Sequence, residues 1–121
     1  MSEEKKYIYS LSDISYIPLT DKAKTKFVLG EDILVSFIEQ EAGAEFPIHS
    51  HDCEQILIIL EGTEEHVVDG KTYHMKAGDV CIHPANVPHG GNSKTGFKGV
   101  DIFSPPRKEH VELMKKHGQL K

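Results

Sequence analysis

Turn-forming residues recur about every ten positions along this chain, leaving intervals that suit short strands better than helices. The signals are Leu29-Gly30-Glu31-Asp32, Glu41-Ala42-Gly43, Glu61-Gly62, Asp69-Gly70, Ala77-Gly78-Asp79, Gly90-Gly91-Asn92 and Ser104-Pro105-Pro106. The segments between them are rich in Val, Ile, Phe and Tyr, so the spacing predicts an all-β sandwich or barrel. Strands are expected near 24–28, 33–40, 46–49, 55–61, 64–68, 71–75, 79–83, 88–92 and 96–103. Asp69-Gly70 is the clearest hairpin, because both residue types tolerate the positive φ of a type I′ turn. One helix is expected from about Lys108 to His117, with Val111 and Met114 facing the body and Gly118 at C′. The 121 residues suit one domain: an N-terminal arm or edge strand over 1–22, a barrel over 23–107, and a C-terminal segment over 108–121 whose helix packs on the barrel.

Composition removes several function classes. A net charge of −5, with Lys and Arg scattered, takes away the electrostatic basis for nucleic-acid binding. No run of about 18 apolar residues is present, so no membrane partner is expected. Met1 to Lys6 is polar with no apolar stretch behind it, which argues against a secretory signal. Cys53 and Cys81 are too few for a disulfide framework, and free thiols in the cytoplasm are expected.

The stretch Gln55-Ile56-Leu57-Ile58-Ile59-Leu60 is apolar on both faces, where a half-solvated strand would alternate. Leu57 and Ile59 are expected inside the barrel, with Ile56, Ile58 and Leu60 covered from outside. The cover is the arm, the helix or a second subunit, and a homodimer is the favoured expectation.

Eight histidines raise the question of chemical spacing. His49 and His51 are two apart on an expected strand, so both imidazoles leave one face. Gln55 shares that parity, whereas Glu54 points away unless it swings in. His89 lies on a later strand that antiparallel pairing can bring opposite.

At these residues the chain resembles the cupin superfamily, whose fold is a double-stranded β-helix, a jelly-roll-like barrel. Gly43, His49, His51, Gln55 and Gly62 fall in the register of its first motif, with Gln in the place of Glu. Gly78, Pro84, Asn86 (where the motif has Gly) and His89 follow the second, while Asn92 comes one residue early. Asn is a mild change at a left-handed turn position. The resemblance implies a divalent transition metal (Zn, Ni, Fe, Mn or Cu) held by His49, His51, Gln55 and His89; the alternative is a metal-free barrel that keeps its histidines. A neutral amide oxygen leaves the ion its full +2 charge, which favours polarising a substrate oxygen over activating O₂.

The tail Asp101-Ile102-Phe103-Ser104-Pro105-Pro106-Arg107 resembles the pectin-degradation cupins of the KdgF type. The likeness runs from about Ala23 to Arg107, although Asp52-Cys53 stands where that family often has Pro-His. It implies an enzyme that linearises 4,5-unsaturated uronates to 5-keto-4-deoxyuronates, with a small sugar acid as substrate. It also implies catalytic roles for Asp101, Phe103 and Arg107: proton transfer, a wall for the sugar ring, and a clamp on the carboxylate. On the residues alone, Asp101 capping a loop and Arg107 pairing with Glu109 are the favoured reading. An iron-dependent dioxygenase and a non-catalytic small-molecule-binding cupin are the alternative functions.

The other histidines carry no ligand spacing. His66, His74, His110 and His117 are expected at the surface or the helix end. His83 is expected as a strand or turn residue, with a place beside the metal as the alternative. Cys53 is a reactive thiol or adventitious ligand, and Cys81 a small buried hydrophobe.

Overall fold

The computed structural model describes residues 6–120. Met1 to Lys5 of the expected arm, and Lys121 of the C-terminal segment, lie outside the described residues. Among the described residues the chain forms β1 (Ile17–Thr20), β2 (Ala23–Leu29), β3 (Leu34–Gln40), β4 (Ala44–His49), β5 (Glu54–Val68), β6 (Lys71–Lys76), β7 (Val80–His83), β8 (His89–Ser93), β9 (Phe97–Ser104) and α1 (Lys108–Lys116). The all-β barrel with a short C-terminal helix is as the turn spacing predicts. No helix among the described residues is long and apolar enough to cross a membrane.

All strand pairing is antiparallel, in the order β1-β2-β3-β9-β5-β8-β4, with β6 and β7 also on β5. The expected break at Glu61-Gly62 is instead a bend within one fifteen-residue strand. The first half of β5 pairs with β9 and β7, and the second half with β6 and β8. Gly62 has φ 82°, and a Cβ there would meet the Gly96 carbonyl oxygen at 2.1 Å. Only glycine lets the strand turn at this point and pass from one sheet to the other. Asp69 and Gly70, at φ 51° and 79°, form the expected hairpin turn, and Asn86 takes the left-handed position at φ 66°.

Inward positions alternate along β2, β3, β9 and each half of β5, and two apolar clusters result. Ile17, Phe27, Leu34, Cys53, Phe103 and Met114 form one; Ile38, Leu57, Ile59, Met75 and Phe97 form the other. Strand register sets a polar layer between them. On β3, Ser36 separates Leu34 from Ile38, and its partner across the ladder is Asp101. The helix is rotated from the expected face: His110 and Met114 are buried, and Val111 is only partly covered. His110 sits against Phe27 and Phe103, with ring centroids 4.9 and 4.8 Å away, so its stripe continues the first cluster. Leu57 and Ile59 are buried as expected, whereas Leu60, Val80 and Ile82 remain more than half exposed on the outer face.

Two alanine substitutions separate steric from conformational cost. A Cβ at Gly70 meets nothing within 4 Å, so Gly70→Ala is expected to lose only the left-handed penalty, about 1–2 kcal/mol. Gly62→Ala is expected to lose roughly 2 kcal/mol more in urea unfolding, because backbone atoms block it. Equal losses would contradict the sheet-crossing role of Gly62.

Candidate metal centre

His49 ends β4, His51 lies in the following turn, Gln55 is the second residue of β5, and His89 opens β8. The β4–β8 register pairs His49 with His89 directly. One ring nitrogen from each of His49, His51 and His89 lies within 4.8 Å of the other two. Each ring is set by a local bond. The Nδ1 atoms sit 2.9 Å from the carbonyl oxygens of Pro47, Cys53 and Val87 respectively, each two residues away. A carbonyl only accepts, so each Nδ1 carries the proton and each Nε2 carries a lone pair.

Those lone pairs have no ordinary use. Nε2 of His49 and of His89 is buried without a hydrogen-bond partner. His51 Nε2 lies 3.0 Å from Gln55 Oε1. Gln55 Nε2 donates to Asp101 Oδ1 at 2.7 Å, which turns the amide oxygen toward the imidazole. Two acceptors therefore face each other. Three imidazole nitrogens and an amide oxygen converging without protons between them fit a divalent transition metal. Burial holds His49 below the usual imidazole range and pushes His89 down to about 4, so both stay neutral donors. Glu54 is exposed and points away, so it contributes no oxygen here.

Asp101 is buried, and burial pushes its carboxyl up to about 7 against the lowering effect of the Gln55 bond. It caps no loop. Phe103 is almost wholly buried and stands edge-on to His51, with centroids 5.8 Å apart. Arg107 lies 5.9 Å from the Phe103 ring centre and bonds both Glu109 (3.3 Å) and His110 (3.4 Å). The Glu109 pairing is thus real, yet Arg107 also lines the small interior cavity, of about 60 Å³, with His49, Gln55, His89 and Asp101. Cys53 is buried against His51, its Sγ 3.3 Å from Nδ1, on the side of the ring away from Nε2. Burial pushes its thiol up, and its place behind the His51 ring keeps it out of the donor set.

Three histidines outside the ligand set are also buried. His66 and His110 are interior, not surface, residues, and His83 is completely buried. His66 Nδ1 bonds Glu64 Oε1 at 2.7 Å, and its Nε2 meets His83 Nε2 at 2.5 Å. The His83 ring stacks on His89, with centroids 4.0 Å apart and planes 6° off parallel. Burial, with His89 and His66 adding to it, pushes His83 down to about 2, and burial pushes His110 down to about 3. The overlooked signal is period-two parity: Glu64 and His66, like Cys81 and His83, are two apart on one strand face.

Comparison with known proteins places this geometry. Residues 36–103, over half of the chain, match the family model described as "Cupin domain". A solved RmlC-like cupin from Shewanella frigidimarina is 26% identical, with a TM-score of 0.83 over 88% of this chain and 97% of that one. KdgF from a Halomonas species is 20% identical, with a TM-score of 0.81 over 88% and 99% of the two chains, a likeness of fold. A shorter stretch is 41% identical over 46 residues to the HTH-type transcriptional activator RhaS of Shigella sonnei, covering 38% of this chain and only 16% of the activator.

The site makes a stoichiometric demand. Replacing His49 and His89 together with alanine is expected to remove one equivalent of bound Co²⁺ or Zn²⁺ per chain, measured by equilibrium dialysis and metal analysis. Unchanged stoichiometry in that double variant would contradict the assignment.

Proposed function

The chain belongs to the cupin family, and from that premise we propose that it is a metal-dependent enzyme that linearises 4,5-unsaturated uronates to 5-keto-4-deoxyuronates. The observation that carries this reading is the bridging amide of Gln55, which faces His51 Nε2 with its oxygen and holds Asp101 with its nitrogen. A carboxyl group is thereby fixed beside the candidate ligands, and Arg107 lines the same cavity. The KdgF-like tail residues supply the substrate class.

When bound, the metal supplies a Lewis acid for a substrate oxygen, with the charge undiminished by the neutral Gln55. The chain's own residues do the rest. Asp101 takes the proton from the anomeric hydroxyl as C1=O forms and the C1–O5 bond breaks. The electron pair left on O5 becomes the C5 ketone as C4 receives a proton from Asp101, so the reaction is a rearrangement with no net change in atoms. Arg107 pairs with the uronate carboxylate. Phe103 acts by holding the His51 ring and the Arg107 head in position. The interior space of about 60 Å³ takes one polar group, so the sugar ring lies at the mouth, where His49 and Arg107 are partly exposed.

We further propose a homodimer in the cytoplasm. Across the β5–β7 ladder Ile56 pairs with Ile82 and Ile58 with Val80, making a continuous outer apolar row suited to a second copy. The two cysteines are free thiols, as a reducing compartment allows.

With unsaturated galacturonate or mannuronate and reconstituted metal, conjugated ultraviolet absorbance is expected to fall with time. Asp101→Asn is expected to lower kcat by about 10²- to 10⁴-fold while retaining metal. Arg107→Ala is expected to raise KM by roughly 10- to 100-fold, the worth of a charge-assisted pair. No turnover with any reconstituted metal would overturn the enzymatic reading. The non-catalytic alternative, which the short likeness to a transcriptional activator favours, gives binding without turnover that Asp101→Asn leaves unchanged.

A further inference from the structure

We propose that Cys81, His66 and His83 form a second metal site, selective for a thiophilic cation such as Zn²⁺ or Cu⁺ and distinct from the three-histidine centre. The bend in β5 creates it. His66 comes from the second half of that strand, while Cys81 and His83 come from β7, which pairs with the first half. Cys81 and His83 are two apart and face inward opposite Leu57 and Gln55. One donor atom from each of the three residues lies within 4.8 Å of the other two.

The donors are prepared for a cation. Glu64 accepts the His66 Nδ1 proton at 2.7 Å, so His66 Nε2 is left as a lone pair aimed at His83. A carboxylate orienting an imidazole from behind is the usual support of a metal-binding histidine. His83 is fully buried, and its Nδ1 has no partner. The His66–His83 nitrogen contact of 2.5 Å must widen by about 0.8 Å for both to reach one tetrahedral ion.

Ligand chemistry sets the class of ion. The three-histidine centre offers nitrogen and amide oxygen, whereas this one adds a thiolate, which selects Zn²⁺ and Cu⁺. Cys81 is partly exposed to an outer groove of about 390 Å³, lined also by Val68, Tyr73, Met75 and Asp79, whereas Glu64 and His66 line the interior cavity of the first centre. The two centres share a wall, because His83 stacks flat on His89. An ion on His83 would therefore hold the His89 ring in place.

The test is a titration of metal-free protein with Co²⁺ as the probe, read by stoichiometry and by the thiolate-to-cobalt charge-transfer band. The proposal expects two equivalents per chain and one thiolate band. Cys81→Ser is expected to lose the band and one equivalent, Cys53→Ser to keep both, and His49→Ala/His89→Ala to keep the band. A single equivalent in the unaltered chain, no thiolate band, or a band that survives Cys81→Ser or disappears with Cys53→Ser would overturn it. If Cys81→Ser does not fold, alkylation of Cys81 in the unaltered chain, followed by mass spectrometry, decides the matter. Zn²⁺ must protect Cys81 after the first centre is filled; unchanged alkylation would overturn the site. The outcome does not depend on the uronate reading, since neither readout involves turnover.

Discussion

The structure depends on three short bonds that tie the Nδ1 atoms of His49, His51 and His89 to backbone carbonyls two residues away. Each bond is local, so the chain's own backbone sets the tautomer and aims the ring. Three Nε2 lone pairs then have to point into a barrel interior, and two of them find no partner there. Leaving such a group unpaired costs roughly 1–3 kcal/mol. A bound cation turns that cost into a gain, which is why the arrangement reads as a ligand set rather than as a core.

The rest of the barrel accommodates this polar layer. Apolar clusters at either side, one built on Phe27, Leu34 and Phe103 and the other on Ile38, Ile59 and Phe97, supply the burial that holds the strands together. Between them, side-chain partners satisfy most polar groups: Thr25 with Ser36 at 2.5 Å, Gln55 with Asp101, and Glu64 with His66. A network of this kind rigidifies its members when each bond is made. Gln55 is the central case, because one side chain positions the oxygen donor and the buried carboxyl together.

Much of this was legible in the sequence because it rests on short-range rules. Turn residues at regular intervals announced the barrel, and the Asp69-Gly70 hairpin and the Asn86 turn took their expected backbone angles. Strand parity alone put His49, Gln55 and Glu54 on their correct sides. The failures were of another kind. Glu61-Gly62 looked like a turn, yet a neighbouring strand passes so close that the glycine serves a bend instead. His110 is expected at the surface or helix end because histidine is polar, but its i,i+4 partner Met114 draws the same stripe inward. His66 and His83 meet across the bent β5, so their period-two spacing to Glu64 and Cys81 reports the shared face of each strand but not the contact between them.

The neutral Gln55 is the feature on which the chemistry turns, and its orientation is open to direct observation. Crystals grown with Co²⁺ and measured for anomalous scattering at the cobalt edge test it most directly. The expected result is an ion about 2.0–2.2 Å from Nε2 of His49, His51 and His89, with Gln55 Oε1 completing the set and Gln55 Nε2 still on Asp101. An ion absent from that point, an ion held by Glu54, or a Gln55 amide turned away from the imidazoles would contradict it.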